Sequence, residues 1–293
     1  MKNKRKRYIT VEPVGGLGNR ILVLNATIQL AKILGVDYIK IQWCNNDECG
    51  CDYEDVLEPI EFPCTVRNYH FVKESYKSAL RRGRLDRAIF KVLQSVLFRI
   101  RMMCVSRKTL NVSEPFVSDE TRLAYIIKRN VRNPYIRTFR DYFGTYGCEG
   151  VPIKQDIWNK ADDMMREIDV NALQHYVAMH IRRTDNDNAI KLSPTWCFKK
   201  KLEDIVMENP KVKIYLATDD QELYDSIKKR YPKQILDRTI KADRTTRSGM
   251  INAAVELCIL ANSKKLYGTD YSSFSNLAHL YGRNEYEVIG KNE

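Results

Sequence analysis

The 293-residue chain is short of most features that assign a sequence to a class at sight. No apolar run reaches the ~20 residues that a helix needs to cross a bilayer, which excludes a helical membrane-spanning protein. The basic opening, Met1-Lys2-Asn3-Lys4-Arg5-Lys6-Arg7, leads into β-like residues rather than an apolar signal core. The expectation is therefore a cytoplasmic chain without a secretory leader or anchor. There is no internal repeat, which sets aside repeat architectures. The eight cysteines, Cys44, Cys49, Cys51, Cys64, Cys104, Cys148, Cys197 and Cys258, are irregularly spaced and include no Cys-x-x-Cys. The group Cys44, Cys49, Cys51 and Cys64 can imitate a metal site, with His70 the only near histidine. Free thiols in a reducing compartment are the expected state.

Negative charge is also in deficit. Forty-nine Lys and Arg against 37 Asp and Glu leave a formal charge of +12. Such an excess favours nucleic acid, acidic membrane or phosphorylated ligands, and it also serves solubility alone. The basic runs are not interleaved with aromatics in an RNA-binding pattern, so nucleic acid is not the expected partner. Residues 81–107 combine an apolar face (Ile89, Phe90, Val92, Leu93, Val96, Leu97, Ile100) with positive charge from Arg81, Arg82, Arg84, Arg87, Lys91, Arg99 and Arg101. That pattern fits an ordinary core-facing helix, or a helix lying on an anionic membrane surface.

What is present is α/β alternation. Residues 7–14 read as a strand, Gly15-Gly16-Leu17-Gly18 as a tight turn, and the residues from Asn19 as a helix ending at Gly35. Residues 36–43 read as the next strand. Strand, glycine turn, helix, strand predicts a parallel sheet. Residues 44–70 look loop-dominated, and Cys148 to Pro152 reads as a linker. Beyond it, helices are expected at 154–168, 194–208, 219–231, 249–262 and 272–281, with strands at 176–181, 213–217 and 265–268. The fold expected is α/β with two Rossmann-like domains, 1–150 and 151–293, facing a cleft. Ligands in such sheets bind beyond the carboxyl ends of the strands.

The informative residues cluster at those ends. Arg182 and Arg183 follow a strand directly; arginine's rigid fork suits paired phosphate oxygens, and an exposed basic pair with a capping aspartate is the plain alternative. Gly15 to Arg20 lets backbone N–H groups approach an anion at a helix start, or simply makes a turn. It is neither a full G-x-G-x-x-G nor a P-loop, since no Gly-Lys-Ser/Thr follows. Ser272, Ser273 and Ser275 can cap a helix or hold phosphate; Asp219 and Asp220 can likewise be caps. Asp185-Asn186-Asp187 spells D-x-D, which can hold a metal against a sugar diphosphate. The preceding arginines already offer that neutralisation, so no metal is expected.

Together these segments resemble the GDP-fucose-dependent fucosyltransferases, the superfamily of α1,6-, α1,2- and protein O-fucosyltransferases. His180-Ile181-Arg182-Arg183-Thr184-Asp185 is similar to their H-x-R-R-x-D motif. Gly15 to Asn19 resembles their glycine-asparagine loop, Tyr215 to Asp220 their strand ending in T-D-D, and Gly268 to Ala278 their late serine segment. The match covers about residues 14–30 and 175–282. The resemblance implies a two-domain GT-B fold and an inverting, metal-independent hexosyltransferase that uses GDP-fucose. The donor would lie mainly on the 151–293 side and the acceptor on the 1–150 side. It implies that Arg182 stabilises the departing β-phosphate and that Arg183 supports the donor or the loop. His180, Asp219, Asp220, Ser272 and Ser273 would shape the nucleotide pocket, with Gly16, Gly18 and Asn19 on the other side. The α1,6 pattern places a glutamate several residues past the motif, and here that distance reaches Ile190. An inverting transfer wants a carboxylate near the acceptor hydroxyl. Asp187 is the expected base and Asp185 the organiser of acceptor or loop. The expected acceptor is a glycan, lipid-linked where residues 81–107 meet the inner membrane surface. A transferase of another sugar nucleotide, a non-catalytic nucleotide or glycan binder, and a basic nucleic-acid-binding protein are the competing readings.

Overall fold

A computed structural model describes residues 6–70, 111–112, 127–129, 132–139, 141, 147–169, 175–184 and 187–290. The basic segment 81–107, Cys104 and the pair Asp185-Asn186 lie outside the described residues. Contacts divide the chain into two compact units, Met1–Pro152 with Arg244–Met250, and Ile153–Asp243 with Ile251–Glu293. Both are α/β and wholly parallel in their sheets, as the alternation predicts.

The first unit begins with β1 (Tyr8–Pro13), α1 (Leu17–Leu34) and β2 (Tyr38–Cys44). Helix α1 is apolar on nearly every side and is buried along most of its length, so it needs cover all round. Gly35 ends it in the left-handed region at φ 56°. The sheet is completed by β3 (Cys64–Tyr69), β4 (Asn111–Val112) and β5 (Tyr135–Thr138), in the order β3-β2-β1-β5-β4. The order reverses between β1 and β5. The stretch 44–70, expected as loop, holds β3 and the short helix α2 (Tyr53–Val56). Strand β3 lies at the sheet edge with Thr65 and Arg67 exposed, so its sequence lacks the apolar alternation that marks a strand.

The second unit contains α3 (Gln155–Ile168), β6 (Val177–Ile181), α4 (Asp187–Leu192), α5 (Thr195–Glu208), β7 (Ile214–Thr218), α6 (Gln221–Arg230), α7 (Arg247–Ala261), β8 (Lys265–Thr269), α8 (Ser273–Gly282) and β9 (Glu285–Ile289). Helix α7 starts among residues that group with the first unit. The sheet order is β7-β6-β8-β9. Strand β6 is central, and the chain turns from β7 on one side of it to β8 on the other. A crevice at the carboxyl ends of β6 and β8 follows from that reversal. Strand β9 has no counterpart among the sequence expectations. It is an edge strand whose Glu285 and Glu287 hide its period.

The core of this unit packs Met179, Ile181, Phe198, Leu202, Ile214, Leu216, Ile227 and Ile289. Among the described residues no helix is long and apolar enough to cross a membrane. The seven described cysteines are free thiols, all buried except the half-buried Cys64.

One glycine sets a close approach beneath the strand ends. A Cβ on Gly268 in β8 would sit 2.8 Å from Ser275 Cβ and 2.5 Å from the Tyr286 ring. Gly268→Ala is expected to cost about 1–3 kcal/mol through overpacking, read by urea denaturation. An unchanged midpoint would show that the two elements part freely.

Candidate functional site

The carboxyl ends of β6, β7 and β8 carry a connected polar lattice. Backbone polar groups at strand ends have lost their ladder partners and need others. Thr269, at the end of β8, donates its hydroxyl to His180 O (2.7 Å) and accepts from Arg182 N (3.1 Å). This clasps the end of β6 to the end of β8. Asp219, just past β7, takes the other side. It accepts from Arg183 N (2.6 Å), Thr184 N (3.2 Å) and the Thr184 hydroxyl (2.7 Å), and pairs with Arg182 Nη1 at 3.1 Å. Burial alone would raise its carboxyl pKa. The Arg182 charge and these hydrogen bonds outweigh burial and hold it below the usual carboxylate range.

The two arginines diverge. Arg182 is about a quarter exposed beside Asp219. Arg183 turns inward, donates from Nη2 to Ser193 O (2.5 Å), and lies 5.4 Å from the Phe198 ring. Its Nε and Nη1 are buried without a hydrogen-bond partner among the described residues. Ser193, fully buried, also accepts Asp270 N through its hydroxyl (2.9 Å). It thus ties the loop after β6 to the loop after β8.

His180 lies beneath the pair, 6% exposed, with Nδ1 2.6 Å from Ser275 Oγ and its ring 5.2 Å from Phe274. Burial, reinforced by the Arg182 charge, lowers its pKa to about 3, so the imidazole is neutral. Ser275 Oγ also accepts Thr269 N at 3.3 Å. Ser272 caps α8 and Asp220 caps α6; Ser273 opens α8. The next residue back, Tyr271, is 68% exposed and holds a left-handed φ of 54°, rare for a bulky side chain.

The structure therefore brings His180, Arg182, Arg183, Asp219 and Ser272 to Ser275 together at the carboxyl ends of β6, β7 and β8. Asp187 is exposed in the first turn of α4, and Asp185 lies outside the described residues. Gly16, Gly18 and Asn19 belong to the first unit, at the end of β1. The helix there begins at Leu17, two residues before the expected start, because Gly16 is already its extended N-cap. Gly18 and Asn19 thus lie in its first turn, where N–H groups have no intrahelical partner and favour an anion.

Several residues of these sites escaped sequence reasoning. Arg20 is fully buried: it donates to Gly15 O (2.7 Å), Cys44 O (2.7 Å) and Asn46 Oδ1 (3.1 Å), 4.7 Å from the Trp43 ring. Its signal was a charge inside an otherwise apolar helix. Glu256, 7% exposed in α7, accepts from the Tyr215 hydroxyl at 3.3 Å. Burial raises its pKa to about 7, against the pull of Arg238 and Tyr215. Arg238 in turn donates to Thr218 O (2.6 Å) at the end of β7. The lone acid among apolar neighbours was a readable signal here too. Ser193 carried no such mark. Among the described residues no three His, Cys, Asp or Glu side chains gather as metal ligands.

No family model matches the sequence, and comparison with curated proteins finds no match. Structural comparison places the chain in a class of two-sheet α/β proteins that includes several fucosyltransferases. NodZ alpha-1,6-fucosyltransferase, in crystals soaked with GDP-fucose, superposes with a TM-score of 0.52 at 14% identity, over 94% of this chain and 93% of NodZ. POFUT1 in complex with GDP gives 0.57 at 10% identity, over 98% and 99%. A mutant of Arabidopsis thaliana FUT1 with GDP gives 0.58 at 12% identity, over 99% and 71%. The chain has the fold of these fucosyltransferases.

The buried, neutral His180 yields a pH prediction. Its ordinary pKa is about 6.5 in an unfolded chain. Below that pH the unfolded chain takes up a proton that the folded site refuses until about pH 3. Stability must then fall as pH falls through this window and gain nothing above it. Replacing His180 by Gln removes this component. The stability of wild type relative to His180→Gln should drop by about 2 kcal/mol between pH 6.5 and 4.5. A difference that does not vary with pH would show that His180 titrates normally.

Proposed function

We propose that the chain is a transferase that moves fucose from GDP-fucose to a hydroxyl of a glycan. The observation that carries this reading is the lattice of Arg182, Arg183 and Asp219 beside neutral His180, at the strand reversal of the second sheet. Its support is a fold shared, over almost the whole chain, with fucosyltransferases solved with GDP or GDP-fucose.

The chemistry asks for little more. As the bond from the sugar's anomeric carbon to the phosphate oxygen breaks, GDP gains negative charge. Arg182, fixed by Asp219 and about a quarter exposed, is the group assigned to receive it. A preorganised guanidinium costs no reorganisation at that moment. Arg183 holds the loop through Ser193 and keeps two further donors in reserve for it or for the diphosphate. The α8 N-terminus after Ser272 adds its backbone dipole. Neutral His180 leaves the local positive charge to the arginines and sets their loop from below. The acceptor hydroxyl attacks from the face opposite GDP, which inverts the anomeric carbon. Its proton goes to a carboxylate, for which Asp187 is our assignment.

Thermal-shift measurements with GDP, UDP and their sugars test the donor. GDP at about 100 times its Kd should stabilise the fold by about 2.7 kcal/mol, with UDP at the same concentration giving little. An equal response to both would remove the guanine nucleotide from the reading. The second test needs no acceptor. Wild type should hydrolyse GDP-fucose slowly, and Arg182→Ala should lower that rate by about 100-fold or more. Undiminished release of GDP by the variant would take Arg182 out of the chemistry.

A further inference from the structure

Helix α5 carries an unusual outer row. Phe198, Leu202 and Ile205 face the core, and the helix is held through them. Trp196, Lys200 and Asp204, each four residues apart, form a separate row along it. With Cys197, Lys201 and Gly290, just beyond β9, they line an open pocket of about 190 Å³. The indole of Trp196 is 55% exposed there and contributes nothing to the core cluster. A single exposed apolar side chain needs no explanation; one that walls a concavity with convergent polar groups does.

The lining selects a class of ligand. Lys201 is already tied to Glu287. Lys200 and Asp204 offer opposite charges one turn apart and make no ion pair among the described residues. An anion would find no unopposed pair of cations here. The volume is below the ~300 Å³ at which pockets for drug-sized ligands begin, so it suits a single ring. We propose that this pocket is a sugar subsite that holds one neutral pyranose. The partly positive C–H face of the ring lies on the negative face of the Trp196 indole. Its hydroxyls, which both donate and accept, lie between the Lys200 ammonium and the Asp204 carboxylate.

The pocket hangs from the same segment as the strand-end site. Helix α5 begins two residues after Ser193, whose carbonyl and hydroxyl engage Arg183 and Asp270. A Cβ on Gly290 would lie 3.5 Å from Leu192 O, in ordinary contact. Calling the bound ring part of the acceptor glycan rests on the transferase reading; that the pocket takes a sugar does not.

Saturation-transfer NMR tests it, with maltotetraose, cellotetraose, mannotetraose, galactotetraose and chitotetraose at millimolar concentration and guanosine and adenosine as flat-ring comparators. Wild type should give signal with at least one of these sugars, reduced at least tenfold in Trp196→Ala. Gly290→Leu, which fills the pocket from the other wall, should reduce it likewise. Stabilisation by GDP should be the same in wild type and both variants, which also shows that they fold. If GDP stabilises the protein but no sugar gives Trp196-dependent signal, the subsite is overturned and the transferase reading stands. If a sugar binds through Trp196 while GDP does nothing, the subsite stands and the transferase reading falls. Trp196-dependent signal from the nucleosides alone overturns the subsite in favour of a nucleobase shelf.

Discussion

The Asp219 carboxylate is the constraint on which the strand-end site depends. It satisfies the backbone N–H groups of Arg183 and Thr184 and the Thr184 hydroxyl, and it neutralises Arg182. An aspartate with one such contact would be a cap. With four it becomes the template for a loop, and the loop sets where both guanidinium groups point. The arrangement holds two cations in adjacent positions without repulsion driving them apart, because one is paired and the other is turned into the protein. An anionic ligand with several oxygens would meet Arg182 already oriented and only partly solvated, where charge–charge attraction is stronger than in bulk water.

The sheet order explains why these groups meet where they do. In the second unit the chain leaves β6 toward β7 and later returns to β8 on the opposite side. The loops after β6 and β8 therefore lead away in opposite directions and open a gap between neighbouring strand ends. Thr269 bridges that gap at its base, and Ser193 closes it from the side. The first unit repeats the device between β1 and β5, with the glycine turn and buried Arg20 at its end. Two sheets with the same reversal thus present two N-terminal helix turns at loops after central strands.

Strands β6, β7 and β8 were legible in the sequence because each is a short, largely buried apolar run followed at once by chemistry: Ile181 by two arginines, Thr218 by two aspartates, Thr269 by Asp270 and the serines. Buried parallel strands read this way whatever surrounds them. The edge strands β3 and β9 were not legible, since each has a wet side and carries charges that blur its period, whereas β7, also at an edge, is buried at every position. The start of α1 was misjudged by two residues because a glycine, Gly16, serves as its N-cap. Caps of that kind leave no side-chain signature.

Local pattern in the sequence determined the α/β class, the parallel sheets and the presence of arginines, aspartates and serines at strand ends. Hydrophobic period and turn chemistry act over a few residues, so they can be read without knowing what lies opposite. Tertiary structure alone decided which of those groups touch. Asp219 reaches Arg183 across 36 residues and Ser275 reaches His180 across 95. It also decided that Arg183 turns inward to Ser193, that His180 is neutral, and that Trp196 stands outside the core beside Gly290. Each of these follows from strand order, register and burial, and those are set by packing between segments far apart in the chain.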